Sequence, residues 1–143
     1  MAEESVPRIV VGVDGSNQSR EALRWALTQA AIAGVAVDAV IAWHVPSFVY
    51  AASISLPSGL DFEEDARRVL DEVVADVAAN SPATINKVVL EGSPAQVLMA
   101  EAKGAQLLVV GASGHGAFAG ILLGSVSEHL VTHAPCPVVV VRH

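Results

Sequence analysis

Five short apolar runs punctuate the chain, at residues 9–13, 37–43, 85–90, 107–111 and 138–141, and amphipathic segments separate them. Leu107-Leu-Val-Val110 and Val138-Val-Val-Val141 carry no polar alternation, the pattern of strands covered on both faces. Residues 84–90 mix polar and apolar positions, which predicts a strand at a sheet edge.

The intervening segments read as helices. Ala22, Leu23, Ala26, Leu27 and Ala30 share one helical face within residues 19–33, and Gly34 supplies the stop. Phe62, Ala66, Val69, Val73 and Val77 form a second apolar face. Asp61, Glu63, Glu64 and Asp65 stand in its first turn, where the helix dipole favours acids. Ser93-Pro94-Ala95-Gln96 reads as an N-cap, an N1 proline and a capping-box glutamine, opening a third helix that ends at Gly104. Ser125-Val-Ser-Glu128 reads as another capping box, with Ser125 as N-cap of a fourth helix that closes before Pro135.

Strand and helix therefore alternate from end to end, with crossovers long enough for right-handed parallel connections. The expected fold is an α/β, doubly wound, five-stranded parallel sheet of order 3-2-1-4-5 with helices on both faces. In that order the winding reverses between the first and fourth strands. Ligands of such sheets bind beyond the carboxyl ends of the strands at the reversal. The segments leaving those two strands are Gly12-Val-Asp-Gly-Ser16 and Gly111-Ala-Ser-Gly-His-Gly116, so topology and glycines nominate one place.

Composition narrows the function classes. With 143 residues, one domain (1–143) is expected, large enough to bury about 70% of its unfolded surface without a metal or disulfide staple. Hydrophobic residues make up 52% and aromatics 4%, so Ala, Val, Leu and Ile must build the core. The net charge of −7, with eight Lys plus Arg, leaves no basic face for nucleic acid or an anionic membrane surface. A single cysteine, Cys136, excludes an intrachain disulfide and fits a reducing compartment. The acidic N-terminus lacks the pattern of a signal peptide, and no apolar run approaches a membrane span. A cytoplasmic location is the expectation.

The chemistry concentrates in residues 111–125, Gly-Ala-Ser-Gly-His-Gly-Ala-Phe-Ala-Gly-Ile-Leu-Leu-Gly-Ser. Gly111 and Gly114 permit a sharp turn and close approach to a ligand. Gly124 and Ser125 stand where a helix begins, and free N–H groups there favour an anion. A nucleotide spanning both would set its ribose near the first glycines and its phosphates at the helix N-terminus. A Walker A loop is excluded, since neither Lys87 nor Lys103 follows a glycine. Gly114-His-Gly116-Ala-Phe-Ala119 fits G-x-G-x-x-A. It follows the fourth strand, however, and lacks the acid about 20 residues on that a dinucleotide site requires.

On these residues the chain resembles the universal stress protein family, over almost its whole length. The family's nucleotide signature (Gly, two residues, Gly, nine residues, Gly, then Ser or Thr) falls on Gly111, Gly114, Gly124 and Ser125. Val11-Gly-Val-Asp-Gly-Ser16 and His133-Ala-Pro-Cys-Pro-Val-Val-Val-Val141 are similar to the family's opening and closing segments. The resemblance implies an adenine nucleotide α-hydrolase-like fold and membership of the ATP-binding subgroup. Gly12, Val13, Val40 and Val110 would hold the adenine. Asp14 would lie near ribose and phosphates, with Mg2+ as its metal, and Ser125, Val126 and Ser127 would contact the phosphates. It also implies a stress-response role and a homodimer through residues 137–142, where four valines at a sheet edge give a physical reason for pairing. Many relatives carry an arginine near the positions of Ser113 and His115, and this chain does not.

Other residues have plainer readings. His44 and His115 lie near the expected site, but two histidines there do not define a metal centre. Cys136, between two prolines, reads as a small packed residue. Trp25 and Trp43 read as core and pocket wall. Phe48 and Tyr50 lie in a long connection, 44–60, on the binding edge. Three functions stay open: a nucleotide-binding regulator using ATP or a cyclic nucleotide, a slow ATPase or autophosphorylating protein, and an interaction module with a vestigial pocket. No catalytic residue is assigned.

Overall fold

A computed structural model describes residues 6–47, 61–113 and 123–142 of the protein. In chain order the elements are β1 (Arg8–Gly12), α1 (Asn17–Ala33), β2 (Ala36–Trp43), α2 (Phe62–Val77), β3 (Ile85–Glu91), α3 (Pro94–Glu101), β4 (Leu107–Gly111), α4 (Ser125–His133) and β5 (Val138–Val141). The strands form one sheet of order β3-β2-β1-β4-β5, with every pairing parallel. The expected topology is therefore the observed one, with the mixed-polarity strand β3 at an edge.

Alternation along the strands divides the core in two. Ile9, Val11, Val37, Ala39, Ile41 and Val109 face α1 and α2 and meet Leu23, Ala26, Leu27, Leu70 and Val73. Val10, Val40, Leu108 and Val110 face α3 and α4 and meet Val97, Leu98, Ala102 and Leu130. Trp25 and Trp43 pack against the first of these cores. Small alanines on α1 let the helix lie close to the sheet, so a core nearly without aromatics still packs densely. In β5, Val139 and Val141 pack on one face and Val138 and Val140 on the other. All four remain half-buried because the strand is an edge.

Helix ends follow the capping chemistry with four corrections. Ser16 caps α1, its Oγ accepting from Ser19 N at 3.2 Å, so the helix begins at Asn17 rather than Ser19. Ser19 instead turns inward, where its hydroxyl donates to Ser16 O and accepts from Asp14 N. The third helix stops at Glu101, short of Gly104; the chain leaves it through a turn in which Gly104 has φ 76°. The fourth helix takes Gly124 as its N-cap, because the Gly124 carbonyl already accepts from Glu128 N at 2.9 Å. Ser125 is thus the first helical residue, and the capping box expected from Ser125 and Glu128 is out of frame by one position. Asp61, expected in the first turn of α2, stands before it as the N-cap and accepts from Glu64 N at 3.0 Å, while Glu63, Glu64 and Asp65 fill the first turn as expected. The other expectations hold: Ser93 is a side-chain cap, Pro94 is at N1, and Gly34 ends α1 in the left-handed region at φ 71°.

Candidate functional site

Parallel pairing of β1 with β4 brings the ends of two distant segments side by side at the reversal of winding. From β1 come Gly12, Val13 and Asp14; from β4 come Val110, Gly111, Ala112 and Ser113. The start of α4, Gly124 to Ser127, lies against the second group, since Gly124 N donates to Ala112 O at 2.7 Å and Ser127 Oγ donates to Gly111 O at 2.6 Å. Val40 joins through its carbonyl, which accepts from Val13 N at 2.8 Å. Among the described residues, the expected site positions therefore fall in one neighbourhood. Gly114, His115, Phe48 and Tyr50 lie outside the described residues.

Each glycine has its own reason. A Cβ on Gly12 would stand 2.7 Å from Leu98 Cδ1 and 3.3 Å from Val110 Cγ1. A Cβ on Gly111 would stand 2.8 Å from Gln18 Cβ and 2.9 Å from the Gln18 backbone carbon. At Gly111 the clash involves backbone, so glycine is needed there for the packing of β4 against α1; at Gly12 it involves the tip of the Leu98 side chain, which can turn aside. Gly124 differs. Its φ of −71° suits any residue, and among the described residues a Cβ there would make only ordinary contacts, 3.4 Å to Ser113 Cα being the shortest.

Hydroxyl groups divide in the same way. Ser127 is 4% exposed and its proton is committed to Gly111 O, so its side chain ties α4 to β4. Ser125 is exposed. Val126 packs its side chain on the second core. Val40 and Val110, at 1% and 4% exposure, likewise belong to that core.

Two side chains absent from the expected set prove to organise the site. Gln18, in the first turn of α1, accepts from Ser113 N at 2.7 Å and packs on Gly111, joining segments 95 residues apart. Arg20 donates from Nη1 to Gly15 O, which places a guanidinium against the turn carrying Asp14; its Nε pairs with Asp76 at 3.3 Å. Asp14 itself accepts from Ser16 N at 2.9 Å through Oδ1, closing an Asx-type turn. Local spacing in the sequence carries no sign of the Gln18 contact. Arg20 was within reach of a helical reading, being four residues after the N-cap.

The N-terminus of α4 is the site's electrostatic feature. Ser16, Asp61 and Ser93 put a side-chain oxygen on the N-termini of the other three helices, whereas among the described residues none caps α4 with its side chain. Its first turn, with a partial charge of roughly +0.5, lies beside the end of β4, held there by the bonds from Gly124 N to Ala112 O and from Ser127 Oγ to Gly111 O. Asp14 is the single carboxylate on the opposing turn. Among the described residues no three His, Cys, Asp or Glu side chains cluster as a metal cage, and no helix is long and apolar enough to cross a membrane.

Residues 6–142 match the model of the family described as the universal stress protein family. The chain belongs to that family. A universal stress protein of Mycolicibacterium smegmatis is 36% identical over 142 residues, covering 99% of this chain and 47% of its own length. A universal stress protein of Methanocaldococcus jannaschii is 35% identical over 145 residues, covering 98% of this chain and 84% of its own. The present universal stress protein thus spans about half the length of the mycobacterial relatives it matches. Among solved structures, a universal stress protein in complex with cAMP superposes with a TM-score of 0.69 at 27% identity, covering 96% of this chain and 98% of the other.

Proposed function

We propose that this universal stress protein is a nucleotide-dependent regulator that takes ATP into the crevice between β1 and β4. The observation that carries the reading is Gly124. Against the described residues its backbone could accommodate a side chain, and a serine or aspartate there would cap the helix through its oxygen, yet the N-cap is glycine and among the described residues no side chain caps this N-terminus. An N-terminus left open in this way suits an anion that approaches the backbone closely. The adenine would lie by Gly12, Val13, Val40 and Val110, and the phosphates at the N–H groups of Ser125, Val126 and Ser127. Gly111 and Gly114 would allow the chain to pass under the ribose. Mg2+ would arrive with the phosphates, Asp14 supplying one carboxylate, in keeping with an ion usually held by one or two carboxylates and phosphate oxygens. A homodimer through residues 137–142, in the cytoplasm, completes the proposal; the place of β5 at the edge of the sheet among the described residues supports the pairing.

A cyclic nucleotide is the second reading, favoured by the cAMP bound to the solved relative. Calorimetric titration of nucleotide-stripped protein with Mg-ATP and with cAMP, on wild type and Gly124→Asp, separates the two. Saturable ATP binding, lost on placing a carboxylate at the helix N-terminus, is the expected result. Tighter binding of cAMP would transfer the site to cyclic nucleotides. Binding of neither ligand would refute the reading.

A further inference from the structure

The last two turns of α4 carry His129 and His133, four residues apart and both exposed. Residues spaced by four stand above one another on a helix face. Here the two imidazole centroids lie 4.8 Å apart with their planes tilted by 48°. We propose that His129 and His133 form a two-ligand site for a divalent transition-metal ion, on the outer surface of α4 and separate from the crevice at its other end.

The separation suits such an ion. A metal about 2.0–2.1 Å from an imidazole nitrogen stands about 3.2 Å from that ring's centroid. Two centroids 4.8 Å apart then subtend about 97° at the metal. That angle lies between the cis angle of square-planar or octahedral coordination and the tetrahedral angle, so the pair can close on an ion without moving the backbone. Both rings are exposed and free to turn their nitrogens toward it. His133 is the final residue of α4, where helix carbonyls favour a cation. Among the described residues no third His, Cys, Asp or Glu completes a cage, so water fills the other positions and affinity follows the order Cu2+ above Ni2+ and Zn2+.

Each ion is added alone, as the chloride, to untagged full-length protein, and the thermal midpoint and heat of binding are recorded. A ligand that binds only the folded state raises the midpoint, and two linked donors bind on the order of tenfold or more tighter than one. The expected result is one Cu2+ or Ni2+ per chain with an upward shift in midpoint. Both His129→Ala and His133→Ala should lose that tight binding. A Val131→His/His133→Val double variant keeps the number of histidines but turns the second ring to another face, and should behave like the single variants. Equal binding by wild type and this double variant, or retention of tight binding in His129→Ala, would overturn the proposal. Circular dichroism of each metal-free variant guards against a folding defect.

Discussion

Replacing Gly111 with alanine tests the packing account of the site without any ligand. The added Cβ would stand 2.8 Å from Gln18 Cβ, 2.9 Å from Gln18 C and 3.1 Å from Gln18 O. Two of these three atoms are backbone of the first turn of α1, so no rotamer change relieves the clash. Either α1 lifts or the end of β4 shifts, and the 2.7 Å bond from Ser113 N to Gln18 Oε1 lies in the path of both movements. Overpacking of this kind costs about 1–3 kcal/mol. The gain from a less flexible unfolded chain offsets about 0.4–1 kcal/mol of it, because Gly111 is not at positive φ. A clash with backbone atoms belongs in the upper half of the overpacking range, about 2–3 kcal/mol, so the net loss is about 1–2.6 kcal/mol, a fall of roughly 3–9 °C in Tm for a domain of this size. Urea unfolding followed by circular dichroism reads it directly, with the slope m expected to stay unchanged. A Gln18→Ala background should not rescue the variant, since the clashing atoms remain. A Gly111→Ala protein that unfolds at the wild-type midpoint would refute the reasoning. So would full rescue by Gln18→Ala.

Four further outcomes are expected. Gly124→Ser, at a position where a Cβ makes only ordinary contacts with the described residues, should leave the ligand-free protein as stable as wild type or a few tenths of a kcal/mol more stable by capping α4, as read by urea unfolding. Arg8→Ala removes the ion pair to Asp38 at 3.2 Å and the bonds to Glu101 O and Lys103 O at the end of α3, at a cost of about 2 kcal/mol by the same assay. Leu70→Ala empties a fully buried position between α2 and the sheet and should cost about 2–5 kcal/mol. Burial pushes the Cys136 thiol up, against a smaller opposing effect of the Arg8 guanidinium. Alkylation at pH 8 should therefore be slower in the native protein than in urea. Because the raised value belongs to the folded state, this thiol's contribution to stability is present below about pH 8.5 and is lost as pH rises toward the native value.

Hydrophobic periodicity and turn chemistry are local properties, and they determined most of the architecture. The unbroken apolar runs of β4 and β5, the polar residues of β3, the caps Asp61 and Ser93 and the stop at Gly34 each act within a few residues. From them the number, type and order of elements follow, and the order places the crevice between β1 and β4. The glycine spacing from 111 to 125 nominated the same place because backbone permissiveness is visible in residue type alone.

Tertiary structure decided what each of those residues is occupied with. Gly111 is glycine because Gln18 rests on it, and Ser127 spends its proton on the Gly111 carbonyl. Arg8 joins β1 to β2 and to the end of α3, and Gln18 fixes the loop after β4 from across the sheet. Such contacts link residues far apart in the chain, and their geometry exists only once sheet register and helix docking are set. Even the frame of the fourth helix belongs to this class. Ser125 and Glu128 match a capping box by spacing, but Gly124 N is drawn to the Ala112 carbonyl, its own carbonyl accepts from Glu128, and the helix starts one residue early. A pattern confined to four residues cannot register a bond made to the neighbouring strand.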